Sequence, residues 1–162
     1  GEYAQEVEAL TTALYDTTDQ ISAEVNANAG PSGFPQAVDV QAAYRGVAAA
    51  FQNFFDGLDD VDPPPDIADM HAALVDMAAR LATTSEAMSA KVAEFEDGDD
   101  WEALMQTPEA LAARAAEEEI VSFCQERQAE LNATADREGL SDAPWIPADM
   151  QEVILVAFGC EI

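Results

Sequence analysis

The stretch Val40-Gln41-Ala42-Ala43-Tyr44-Arg45-Gly46-Val47-Ala48-Ala49-Ala50-Phe51-Gln52-Asn53-Phe54-Phe55-Asp56-Gly57-Leu58 decides the fold. Val40, Tyr44, Val47, Phe51, Phe54 and Leu58 are separated by four and three positions in strict alternation. Side chains three and four apart share one face of an α-helix, so the spacing predicts an amphipathic helix with a single apolar stripe. Gly46 lies beside that stripe, where the missing side chain lets a neighbouring helix come close.

The same rhythm extends outward on both sides. Upstream, Tyr3, Val7, Leu10, Leu14, Ile21 and Val25 predict a first helix, interrupted once at Thr17-Thr18. The cluster Asn28-Ala29-Gly30-Pro31-Ser32-Gly33 predicts a loop, with a new helical start near Pro35. Downstream, Gly57 and the run Asp59-Asp60-Val61-Asp62 are expected to end the second helix, and Pro63-Pro64-Pro65 fixes angles suited to opening a third. The third stripe runs through Ile67, Met70, Leu74, Met77, Leu81, Met88, Val92 and Phe95, weakened around Thr84 and Ser85.

Asp97-Gly98-Asp99-Asp100 stops that helix, and Asp99 followed three residues later by Glu102 reads as a capping box for a short helical turn through Trp101, Leu104 and Met105. Thr107 before Pro108 reads as the N-cap of a fourth long helix, with Glu109 near the positive end of its dipole. Its expected inner stripe is Leu111, Ala115, Val121, Cys124, Gln128, Leu131 and Ala135, ending at Gly139. Beyond it, the apolar run Val153 to Phe158 reads as a short helix packed across one end, with a strand as the alternative.

Four such stripes joined by mostly short links assemble most simply as an all-α, antiparallel, up-down-up-down four-helix bundle, one domain over residues 1–162. The surface is acidic: 33 Asp and Glu stand against 6 Lys and Arg, a formal net charge of -27. Such a field repels phosphate backbones and argues against direct nucleic-acid binding. With 49% apolar residues arranged periodically, the acidity coats a folded object and does not mark a disordered tail.

No apolar run reaches the ~18 to 20 residues that span a bilayer, so no transmembrane segment is expected. Gly1 is followed by neither a basic nor an apolar leader region, which leaves a processed signal peptide or a lost lipid anchor open.

Cys124 and Cys160 are the two cysteines. A disulfide between them would tether the apolar tail and disfavour the unfolded chain by roughly 4 kcal/mol on the entropic model; the alternative is two buried free thiols. Neither belongs to a C-x-x-C pair, which removes the usual zinc and redox spacings and covalent haem.

His71 is the only histidine. One histidine cannot supply the paired Glu-x-x-His motifs of a ferritin-like di-iron site, and no nucleophile context surrounds it. It reads as a hydrogen-bonded residue flanking the core. His71, Tyr44 and Trp101 are the candidates for a ligand pocket, with Phe51, Phe54, Phe55 and Trp145 as further aromatic candidates that double as core. No cofactor is expected. Asp97, Asp99, Asp100 and Glu102 are candidate cation ligands, as are Asp56, Asp59, Asp60 and Asp62. Neither run fits a calcium-binding Asp-x-Asp-x-Asp-Gly loop, and helix capping accounts for both equally well.

The segment from Cys124-Gln125-Glu126-Arg127 through Ala135-Asp136-Arg137-Glu138-Gly139-Leu140, followed by Gly159-Cys160, resembles the ending of small secreted or lipid-anchored helical proteins of actinobacteria. Pro64-Pro65-Asp66-Ile67-Ala68-Asp69-Met70-His71 is similar to a helix opening in the same group. The resemblance covers about half the chain. It implies an extracytoplasmic, envelope location and a bundle with a paired C-terminal cysteine, and it supplies no catalytic residue.

The expectation that follows is a noncatalytic extracytoplasmic binding or protein-interaction module, secreted or lipid-anchored, with a protein or small-ligand partner and a salt-tolerant acidic surface. Concentrated salt shortens the Debye length to ~3 Å at 1 M, which makes closely spaced carboxylates tolerable. Two alternatives are carried: a small-molecule or cation sensor or enzyme with a site near His71, and an acidic mimic of nucleic acid. Mimicry would align charge in one stripe, whereas here it is distributed through every helix and turn.

Overall fold

In the computed structural model, residues 2–31 and 33–138 are described, and every regular element among them is helical. The long helices are α1 (Glu2–Asn28), α2 (Ala37–Asp59), α3 (Ala68–Val92) and, after the single turn α4 (Trp101–Leu104), α5 (Pro108–Glu138). A 3-10 turn, Pro65–Ile67, leads into α3. Pro65 suits its first position because a proline there forfeits no helical hydrogen bond.

Consecutive long helices run antiparallel. At one end of α2, the Asn28 side-chain amide donates to Asp39, the Ala37 amide donates to Asp97 at 2.7 Å and the Gln41 amide donates to the Phe95 carbonyl at 2.8 Å. At its other end, Phe54 and Leu58 pack with Val7 of α1 and with Leu74 and Ala78 of α3. A second cluster joins Val40 of α2, Met88 and Val92 of α3, Leu104 of α4 and Ala110 of α5. Helix α2 therefore packs between α1 and α3, and α3 between α2 and α5. Helices α1 and α5 are not among the extensively packed pairs.

The stripes of α2 and α3 are inward as the spacing predicts: Val40, Phe54, Leu58, Leu74, Met77, Leu81, Met88 and Val92 are all buried. Three details differ from the sequence expectation. Helix α1 continues without a break through Thr17 and Thr18, whose hydroxyls donate to the carbonyls of Ala13 and Tyr15 one turn back. This back-bonding satisfies the hydroxyl inside a helix. Gly57 is interior to α2, and the helix ends two residues later at Asp59. A Cβ at Gly57 would collide with Leu10, and one at Gly46 would come within 2.8 Å of Ile21 Cδ1. Both glycines let α1 lie close against α2.

The third difference is the inner face of α5. Leu111 and Val121 are exposed, while Ala110, Ala116 and Cys124 are buried. The helix turns its small residues toward α3, and small side chains permit a close approach that a leucine seam would not. The expected end of this helix at Gly139, the C-terminal helix and Cys160 lie outside the described residues.

Candidate functional site

The candidates fall at opposite ends of the helices. His71, in the first turn of α3, is buried, and its Nδ1 lies 3.1 Å from the Tyr3 hydroxyl. The two rings meet edge to face at 5.6 Å. Tyr3 enters from the start of α1, sixty-eight positions away in sequence, a pairing that no local spacing signals. Burial pushes the Tyr3 phenol above its ordinary value, so it stays protonated as the pH rises toward 10. The histidine thus meets a hydrogen-bond partner within the fold.

Replacing Tyr3 with phenylalanine keeps the ring and removes the hydroxyl beside a buried imidazole nitrogen. Tyr3→Phe is expected to cost about 1 to 2 kcal/mol, measured by urea unfolding with an unchanged slope.

Tyr44 and Trp101 do come together, with ring centroids 6.2 Å apart, and Phe95 meets Trp101 edge to face at 5.5 Å. This aromatic group belongs to the α2–α4 end, beside Val92, whereas His71 lies some twenty residues back along α3, ~30 Å away at the helical rise. His71 and the Tyr44–Trp101 pair therefore do not form one pocket. Burial, and secondarily the charge of Glu117, raises the Tyr44 phenol above its usual range.

The acidic turn is occupied by capping. Asp97 accepts from the Ala37 amide at the start of α2, Asp99 from the Glu96 amide at 2.9 Å, and Asp100 from the Glu102 amide at 2.9 Å. The N-cap of α4 is thus Asp100, one position after the aspartate that the capping-box spacing suggested. Asp97 and Asp100 thereby satisfy helix-start amides that would otherwise lack partners, while Asp99 closes the turn itself, since Glu96 lies outside the helices. Among the described residues, no three His, Cys, Asp or Glu side chains form a group that could hold a metal ion. Thr107 does cap α5, its hydroxyl oxygen 3.4 Å from the Ala110 amide.

One apolar feature among the described residues was not legible as a site in the sequence. A groove of about 200 Å³ runs along the seam between α1 and α5. Its walls are Thr11, Leu14 and Tyr15 of α1 and Glu117, Ile120 and Val121 of α5; Phe51 and Phe54 of α2 and Leu74 and Leu81 of α3 form the floor. Of the side chains predicted as aromatic lining, Phe51 and Phe54 are here, and Tyr44 is not part of the lining. Glu117 is exposed at the rim, yet the apolar walls around it raise its carboxyl above the usual carboxylate range, opposed by nearby Arg114. One turn further along α5 from Ile120, Cys124 is completely buried.

Positive charge is sparse on the exterior. Arg80 makes a two-pronged contact with Glu119 across α3 and α5, at 2.6 and 2.9 Å, and Lys91 pairs with Glu94. The Arg80 contact holds the Glu119 carboxyl below its ordinary value. Both pairs lie in solvent, where such contacts contribute little. No helix among the described residues is long and apolar enough to cross a membrane. No protein-family model, curated protein or solved structure matches the chain.

Proposed function

We propose that the chain is a noncatalytic, extracytoplasmic protein-interaction module: an antiparallel four-helix bundle whose acidic exterior meets a cationic partner and whose C-terminal tail is tied back by a Cys124–Cys160 disulfide. The observation that carries the reading is the disposition of the carboxylates. They coat the outer faces of the helices, Asp97 and Asp100 in the turn serve as caps, and few basic residues neutralise them, leaving a field of one sign. A surface of that kind attracts a basic partner at long range and orients it on approach. That no cysteine is free among the described residues supports the tether, and with it the oxidising compartment in which disulfides persist. Against a catalytic site near His71 stands its engagement with Tyr3.

Native mass spectrometry of the protein purified from its source tests this reading. The expected result is a mass two hydrogens below the reduced value and a co-purifying basic protein that dissociates as salt is raised. A bound small molecule with no protein partner would favour the sensor or enzyme instead.

Salt has a second expected effect. Carboxylates at this density repel one another in the folded state, and the Debye length falls from ~10 Å at 0.1 M to ~3 Å at 1 M. The thermal midpoint followed by circular dichroism is expected to rise by several degrees between 0.1 and 2 M sodium chloride. A flat or falling midpoint would remove salt tolerance from the reading.

A further inference from the structure

The groove between α1 and α5 leaves Leu14, Ile120 and Val121 facing open space beside one another, with Phe51 and Leu74 beneath. Its volume of about 200 Å³ exceeds the ~150 Å³ that admits a benzene ring in an engineered cavity. A second copy of the chain is a poor occupant, because each copy carries a formal charge of -27 and like fields repel. A basic partner suits the acidic outer faces better than an apolar trough with one carboxylate at its rim.

The chain carries a better occupant. Residues 139–162 lie outside the described residues and contain Val153-Ile154-Leu155-Val156-Ala157-Phe158, the longest uninterrupted apolar run in the sequence, followed by Gly159-Cys160. Six consecutive apolar side chains have no polar face to offer water, whichever backbone conformation they adopt, so the run requires cover.

We propose that the α1–α5 groove is the seat of this run, which enters it as the tether closes and joins the two long helices that otherwise lack extensive contact. The inference rests on the disulfide proposed above. A disulfide holds paired Cα atoms within ~7 Å, so Cys160 would lie beside Cys124. Val121 and Glu117 precede Cys124 by three and seven residues, ~4.5 and ~10 Å along α5 at the helical rise. Phe158 and Val153 precede Cys160 by two and seven residues, a reach of up to ~7 and ~24 Å in extended chain. The run therefore spans the groove from its Cys124 end whether it is helical or extended. The sequence alone suggested packing across one end of the bundle; the proposed seat lies along its side instead.

The test uses the full-length oxidised protein at low micromolar concentration with photoreactive benzoylphenylalanine in place of Leu155. After irradiation and proteolysis, intrachain adducts are expected on residues 11–15 of α1 or 117–121 of α5. Adducts confined to other surfaces, or formed between copies, would overturn the proposed seat. Intact mass measured on the same sample reports the tether separately: adducts in the groove without the two-hydrogen deficit would leave the seat standing and remove the disulfide. A rim variant, Val121→Glu, supplies a second reading, since an exposed position tolerates the change. Amide exchange of residues 153–158 is expected to quicken at least tenfold in that variant, with α2 and α3 still protected. Unchanged exchange there would count against the seat.

Discussion

Leu74→Ala is expected to cost about 3 to 5 kcal/mol and to lower the thermal midpoint by on the order of 10 °C. Leu74 is 1% exposed and packs in one cluster with Val7 of α1, Phe54 and Leu58 of α2 and Ala78 of its own helix. It joins three helices through a single side chain. Removing its branched end deletes the transfer energy of the buried carbons and leaves a void that the neighbours fill only in part. Leu74 also floors the α1–α5 groove, so the void would merge with an opening already present. The matched control is Leu111→Ala. That side chain is 45% exposed, and its removal is expected to change stability by no more than ~0.5 kcal/mol. Thermal circular dichroism on the two variants checks both statements. Equal effects would show that the apolar stripe of α3 is not the centre of the core.

This contrast bears on what a sequence of this kind discloses. The inner faces of α2 and α3 are legible because each is written in large residues at helical spacing against an acidic or small background, as at Phe51, Phe54 and Leu58 or at Leu74, Met77 and Leu81. Helix α5 is written mostly in alanine, and alanine marks neither face. The eye is drawn to Leu111 and Val121, while packing chose Ala110, Ala113 and Ala116, which allow α3 to approach closely. Thr17-Thr18 misleads for a related reason: threonine is a poor helix former on average, yet a hydroxyl that bonds back one turn is content in place. Gly57 has the composition of a stop signal, and only the position of Leu10 reveals that it is a contact.

Site residues were legible to the extent that their partners were local. A capping carboxylate for α4 could be anticipated because helix starts advertise themselves within three or four residues, whereas the reach of Asp97 to the Ala37 amide, sixty positions away, could not. Which aspartate caps α4 could not, since Asp99 and Asp100 satisfy the same pattern and the choice depends on the path of the turn. The His71–Tyr3 contact joins residues from different helices. The α1–α5 groove is an effect of what fails to pack, and periodicity reports only which residues seek burial. A seam where two helices stand apart carries no spacing of its own.

Cys160→Ser separates the tether from its alternative with an effect nearly as large as that of Leu74→Ala. If Cys124 and Cys160 are joined, the closed loop removes conformations from the unfolded ensemble, and opening it is expected to cost about 4 kcal/mol. For a chain of this length that corresponds to a fall of ~8 to 16 °C in the thermal midpoint. If both sulfurs are thiols, the same substitution exchanges one small side chain for another and opens no loop, so only the ~1 kcal/mol of an ordinary point substitution is expected. Cys124→Ser is the less informative variant, because that residue is fully buried and a hydroxyl there brings its own desolvation cost. Reduction of the unaltered protein supplies the complementary measurement. The midpoint with reductant should fall to that of Cys160→Ser, and reductant should leave the variant itself unmoved. A parent protein indifferent to reductant would show that residues 125–159 are not enclosed in a covalent loop, and the oxidising compartment would lose its chief physical support.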